Sequence, residues 1–302
     1  MSIHVRVPAT TANLGPGFDC LGLALDIWND LDVEVTGDDV VIEVEGEGVD
    51  EAARDKGNAI YRGMQALAQR HHQSLPRGLH LRCINRIPFC SGLGSSAAAA
   101  VAGILAASEI LDIPCDIEDH LDCATLIEGH PDNVAPCLMG GLVAAMMEDQ
   151  QVIARNLPVA PLALLVAVPD FHFSTRASRA NLPPEIPRRE AVYNLGRLAL
   201  LTHALAEGDL DLMSSAMQDK IHQPFRIPVI PGAEQAIAAA HQAGAQAVAL
   251  SGAGPSLLIV LQDKGQADKV STSVVAAFKE AGFKARIFTP DIAQHGASVT
   301  NL

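Results

Sequence analysis

The chain has 302 residues, 49% hydrophobic and 19% charged, which is enough for about two domains with sizeable cores. A formal net charge of −14 with no offsetting basic run speaks against a nucleic-acid or anionic-membrane partner, although a phosphorylated ligand would still need a local cationic patch. Six scattered cysteines without C-x-x-C or zinc-like spacing read as free thiols. With no signal-peptide core and no apolar stretch of transmembrane length, the expected location is cytoplasmic.

Ile3, Val5 and Val7 alternate with polar residues and predict a first strand. Residues 8–19 follow as a polar loop rich in Gly and Pro. Leu31, Val33 and Val35, then Val41 to Val44, predict further strands. Asn58 to His71 carries apolar residues at helical spacing. Leu79, Leu81 and Cys83 predict a strand running into Pro88-Phe89-Cys90-Ser91-Gly92-Leu93-Gly94-Ser95-Ser96, and the alanine-rich run from Ala97 to Leu111 predicts a helix. A helix over Asp116–Ile127 and a strand over Leu142–Met147 come next. The character changes near Pro158. A buried strand over Leu162–Val168 is followed by a polar, Pro-rich segment, Phe171 to Arg189. Helices are predicted around Val192–Glu207, Leu210–Ile221 and Ala233–Ala243. Strands Ala247–Leu250 and Leu257–Val260 flank a glycine turn, and a helix over Val270–Ala281 and a strand over Ala285–Phe288 close the chain. The expected fold class is α+β in two halves, 1–158 and 159–302.

The glycine-rich stretch before Ala97 is the most informative. A turn of this kind opening a helix aims several backbone N–H groups at one spot, where the helix dipole adds positive potential; the natural occupant is a phosphate. The chain has no Gly-Lys pair, so this is not a Walker A loop. Gly92-Leu93-Gly94-Ser95-Ser96-Ala97 fits the looser dinucleotide pattern, but the segment after Asp112 has no β-rich run. A turn that merely caps a packed helix is the plainer alternative. Three further stretches carry polar groups on turns. Pro8 to Asp19 offers Asn13 and Asp19 to an amine or hydroxyl, or is only a turn. Glu128-Gly129-His130-Pro131-Asp132-Asn133 is a site or a solvated helix end. Ser251-Gly252-Ala253-Gly254-Pro255-Ser256 is a second glycine turn, or a hairpin loop between apolar strands.

Taken in order over nearly the whole chain, these elements resemble the GHMP family of small-molecule kinases, and within it the branch that phosphorylates homoserine. The resemblance implies an N-terminal domain like the second domain of ribosomal protein S5 and a ferredoxin-like C-terminal domain. It implies transfer of phosphate from ATP to the L-homoserine hydroxyl, a step towards threonine, with Mg²⁺ as the metal and a homodimer as the assembly. Backbone from Pro88 through Ser91, Gly92, Leu93, Gly94 and Ser95 to Ser96 would hold ATP, and Asn58 would stand near the adenine. Ser96 and Glu128 would bind Mg²⁺. Asn13, Asp19, His130, Asp132, Asn133 and Thr175 would surround homoserine. Arg179 and Arg226 would take its carboxylate, for which a guanidinium is the natural partner, and Asp19 would take its ammonium. Many GHMP kinases place an aspartate base where this chain has Asn133, and an amide cannot take a proton at neutral pH. Asn13, Asn133 and Asp132 are therefore the catalytic candidates, with Asp132 either orienting the substrate or accepting its proton. Alternative readings are a kinase for mevalonate or a sugar, or a metabolite-binding regulator without activity.

Overall fold

The computed structural model describes residues 1–172 and 175–302; the side chains of Thr175 and Arg176 lie outside that description. The first half begins with a long antiparallel ribbon, β1 (Ser2–Asn13) and β2 (Gly17–Val35). It continues through β3 (Val40–Gly46), α1 (Ala59–Arg70), β4 (Leu79–Asn85), α2 (Ser95–Ile110), α3 (Ile117–Glu128), α4 (Pro131–Met139), β5 (Leu142–Glu148) and β6 (Gln151–Leu157). The second half runs β7 (Ala163–Pro169), α5 (Thr175–Ala180), α6 (Arg188–Glu207), α7 (Leu210–Ala216), α8 (Gln223–Arg226), α9 (Ala233–Ala243), β8 (Ala247–Leu250), β9 (Leu257–Leu261), α10 (Ala267–Glu280), β10 (Ala285–Phe288) and β11 (Ser298–Asn301).

Among the described residues the strands form two sheets. The larger is seven-stranded, in order β11-β1-β2-β4-β3, with β5 on the first half of β2 and β6 outside it. The smaller has four antiparallel strands, β10-β7-β9-β8. This is a mixed α+β arrangement, the fold class expected from the sequence. The β2 strand can serve both β4 and β5 because it has 19 residues and bulges against β1 at Pro8/Ala9 and Ala12/Asn13.

The α2 helix is apolar on almost every side, as a helix buried within a domain should be. Gly103 of α2 and Gly63 of α1 let the two helices pack backbone to backbone: a Cβ on Gly103 would stand 2.0 Å from Ile60 O, and one on Gly63 2.7 Å from Ala100 O. This crossing brings the start of α1 beside the phosphate loop. No described helix is long and apolar enough to cross a membrane.

The structure corrects several expected boundaries. Pro8 to Asn13 belong to β1 rather than to a loop, because the ladder to β2 resumes after the bulge and the buried Thr10 and Thr11 fit a pleated surface. The helix predicted to reach Ile221 ends at Ala216. There the Asp219 carboxylate accepts the N–H groups of Ile221, His222 and Gln223 and starts a separate turn. The α4 helix starts at a proline, where the missing N–H costs nothing, and tolerates Pro136.

Candidate active site

A cavity of about 450 Å³ collects most of the predicted residues: Asn13, Asp19, Asn58, Ser91, Gly92, Gly94, Ser95, Ser96, Glu128, His130, Asp132, Asn133, Arg179 and Arg226 all line it. Pro88 and Leu93 do not. Both are buried behind the loop, where Pro88 O accepts the Ser91 hydroxyl at 2.7 Å and Leu93 O accepts the Thr10 N–H at 3.1 Å.

The loop at residues 91–96 is held by its carbonyls. Ser91 O accepts from Ser256 N at 3.2 Å, Gly92 O from Ser251 Oγ at 2.7 Å and Gly94 O from Ala98 N at 2.8 Å. The N–H groups of Gly92 to Ala97 donate to no protein acceptor among the described residues. Bonded carbonyls behind, free N–H groups in front and the start of a 16-residue helix make an anion site. Gly94 caps this helix at φ +70°. The Ser96 hydroxyl donates to Glu128 Oε1 at 2.7 Å, so the last turn of α3 faces the loop. Asn58 is buried and caps α1: its Oδ1 accepts the Ile60 N–H at 2.9 Å and its Nδ2 donates to Ala53 O at 2.7 Å.

The start of α4 supplies the next group. His130 is its N-cap, and Asp132 and Asn133 lie in its buried first turn. Asp132 Oδ1 is 2.6 Å from His130 Nδ1 and accepts from Asn133 Nδ2 at 3.3 Å, while Asn133 Oδ1 accepts the Thr10 hydroxyl at 2.8 Å. Burial opposes a charge on His130, but its bond to Asp132 and that carboxylate's charge outweigh burial and raise its pKa. The amide of Asn13, which sits at φ 72°, joins two turns: it donates to Gly252 O at 2.9 Å and accepts the Asp19 N–H at 3.0 Å.

The two predicted arginines are held differently. Arg179 forms a two-pronged pair with Asp19, at 2.9 and 2.6 Å, which raises its pKa. Arg226 is 1% exposed and has no carboxylate in salt-bridge contact among the described residues. Its Nη1 reaches His222 Nδ1 at 3.2 Å and Gly252 O at 3.3 Å, and its Nε is buried without a partner. Burial first, then the charge of Arg179, lower its pKa to about 10. Thr175 starts α5, and its side chain lies outside the described residues.

Three contributors are not legible as site residues in the sequence. Thr10 sets the Asn133 amide from β1. His222 is fully buried and 2.8 Å from Gly15 O, which fixes its proton on Nε2 and leaves Nδ1 to accept from Arg226. Phe18 lies under both guanidinium groups, 5.2 Å from Arg226 and 5.5 Å from Arg179, and stacks on His222. Thr10 and Phe18 fall within the first polar motif, but only the tertiary fold distinguishes them from their neighbours.

A family model described as GHMP kinases N terminal domain matches residues 58–141, and one described as GHMP kinases C terminal matches residues 201–280. The homoserine kinase of Moorella thermoacetica is 45% identical, over 98% of this chain and 99% of that one. The homoserine kinase of Synechocystis sp. is 40% identical, over 100% and 99%. The crystal structure of homoserine kinase from Cytophaga hutchinsonii superposes with a TM-score of 0.87 at 30% identity, covering 99% of this chain and 97% of that one. With identity of this order along its whole length, and with an anion loop and a polar acceptor site meeting in one cavity, the chain belongs to the homoserine kinase branch of the GHMP kinase family.

Proposed function

We propose that this chain transfers the γ-phosphoryl group of ATP to the side-chain hydroxyl of L-homoserine, giving O-phospho-L-homoserine and ADP on the way to threonine. The observation that carries this reading is Arg226. A buried guanidinium without a counter-charge is disfavoured by several kcal/mol, so its place in a cavity wall calls for an anionic ligand. Asp19, paired with Arg179 beside it, provides the opposite charge for an ammonium. A zwitterionic amino acid satisfies both, whereas a neutral sugar satisfies neither.

The loop N–H groups hold the phosphates against the start of α2. Ser96 Oγ and Glu128 Oε1, 2.7 Å apart, are hard oxygen donors and fit Mg²⁺. Bound there, the ion would offset phosphate charge. Asn133, fixed by Thr10 on one side and Asp132 on the other, orients the acceptor hydroxyl. Phosphoryl transfer has a loose transition state in which positioning and charge do most of the work, so a strong base is not required. Asp132 acts here as a positioning group, since its Oδ1 already serves both His130 and Asn133.

The same reading divides the chain into an ATP-binding part, 1–158, and a second part, 159–302. It is supported by the passage from the larger sheet to the smaller between Leu157 and Ala163, although β11 returns to the first sheet. A cytoplasmic homodimer completes the proposal. The test is ADP release with ATP and Mg²⁺ against L-homoserine, mevalonate and galactose. Turnover confined to L-homoserine supports the reading. Turnover of another alcohol in its place, or none at all, overturns it.

A further inference from the structure

We propose a second metal site, for a zinc-like divalent ion, formed by His71, Cys115 and Asp119 where the end of α1 meets the start of α3. The nitrogen, sulfur and oxygen donors of these residues all lie within 4.8 Å of one another. Cys115 and Asp119 lie four residues apart at the start of α3, and His71 comes from the end of α1, 44 residues before Cys115, so no motif spacing announces the set.

The geometry favours an ion over a catalytic triad. His71 Nε2 is 2.6 Å from Asp119 Oδ2 and 3.5 Å from Cys115 Sγ, so one nitrogen faces both partners. A relay would need the carboxylate on Nδ1 and the thiol on Nε2. Tetrahedral zinc, with bonds of about 2.0–2.3 Å, sets N···S near 3.5 Å and N···O near 3.3 Å. The observed N···S spacing of 3.5 Å already meets this, and the carboxylate at 2.6 Å needs to open by only about 0.7 Å. Arg70 pairs with the other carboxylate oxygen, Oδ1, at 2.6 Å, leaving Oδ2 to face His71. A thiolate and two carboxylates, Asp119 and Asp122, against one arginine leave net negative charge for a dication. The fourth position is left to water.

Binding is accompanied by proton release. As the metal–sulfur bond forms, the thiol S–H proton passes to solvent, and Nε2 of His71 gives its lone pair to the ion. The site has a structural consequence for the cavity. The α1 helix runs from Asn58 at the cavity to His71, and α3 runs back from Asp116 to Glu128 at the cavity. Each has 12 residues, about 18 Å, so an ion here would clamp the far ends of two helices that frame the nucleotide site.

The test uses the full chain stripped of metal and titrated with Co²⁺ or Zn²⁺ alone. One Co²⁺ per chain should give a thiolate-to-cobalt charge-transfer band that survives Glu128→Gln and is lost in Cys115→Ser. His71→Gln should weaken zinc binding by about a hundredfold, and zinc should raise the unfolding temperature of the unmodified chain but not of Cys115→Ser. Should that variant fail to fold, zinc protection of Cys115 from alkylation in the unmodified chain, read by mass spectrometry, decides the matter. No charge-transfer band at saturating Co²⁺, a band that persists without Cys115, or alkylation indifferent to zinc would overturn the site.

Discussion

Asp132 and His222 show how single residues carry the account. The Asp132 carboxylate ties His130 to Asn133, so Asp132→Asn should lower kcat moderately through poorer positioning while the acid limb of the pH–rate profile keeps its shape. A general base contributes about 10²–10⁴-fold. A loss of that size with disappearance of an acid-limb pKa would make Asp132 the base. His222 is buried and neutral, and burial lowers its pKa below the ordinary 6.5. Below 6.5 the unfolded chain takes a proton there that the folded chain refuses. Its contribution to stability is thus complete above pH 6.5 and declines as pH falls towards the lower folded value. The unfolding temperature should drop between pH 7.5 and 5.5, and His222→Gln should flatten that drop; an unchanged slope in this variant would show that His222 does not report the transition.

At the scale of elements, the phosphate loop and the start of α4 act as one unit. A Cβ on Gly94 would stand 2.0 Å from Thr10 Oγ1 and 3.1 Å from Asn133 Oδ1, at a φ that side chains rarely adopt. Gly94→Val should therefore weaken ATP binding at least about tenfold and also lower kcat, because the same side chain disturbs the Asn133 hold. Normal ATP affinity by calorimetry in a folded variant would remove the loop from the site. How much of this is legible beforehand depends on the range of the interaction. The helices α1, α2, α3 and α9 follow from local periodicity, and their predicted limits fall within a few residues of the observed ones. The loop is legible because glycine, serine and a following helix are neighbours in sequence. The α4 helix is hidden by its two prolines, and β11 by its four-residue, largely polar strand. The bond from Thr10 to Asn133 spans 123 residues and the one from His222 to Gly15 spans 207, and no local pattern encodes them.

On the scale of the whole molecule, the site exists only where the two sheets meet. Ala12 O accepts the Gly252 N–H at 3.1 Å, Ser91 O accepts that of Ser256, and one hydrophobic core runs from Ile3 through Leu164 to Leu258. The two halves should therefore unfold together. The single tryptophan, Trp28 in β2, reports the first sheet by fluorescence, while far-ultraviolet dichroism reports both. The two denaturant curves should coincide, and separated midpoints would show independent halves. The central claim is that a buried arginine, facing an aspartate–arginine pair, selects a zwitterionic alcohol. Its most direct test compares kcat/KM for L-homoserine and for 3-aminopropan-1-ol, the same amino alcohol without the carboxylate, in the unmodified chain and in Arg226→Leu. The account predicts that removing the carboxylate lowers kcat/KM more than about tenfold in the unmodified chain. It also predicts that Arg226→Leu raises the homoserine KM by a similar factor with the ATP KM unchanged, and that the preference between the two alcohols then largely disappears. An unchanged homoserine KM in Arg226→Leu, or a preference that survives the substitution, would contradict it.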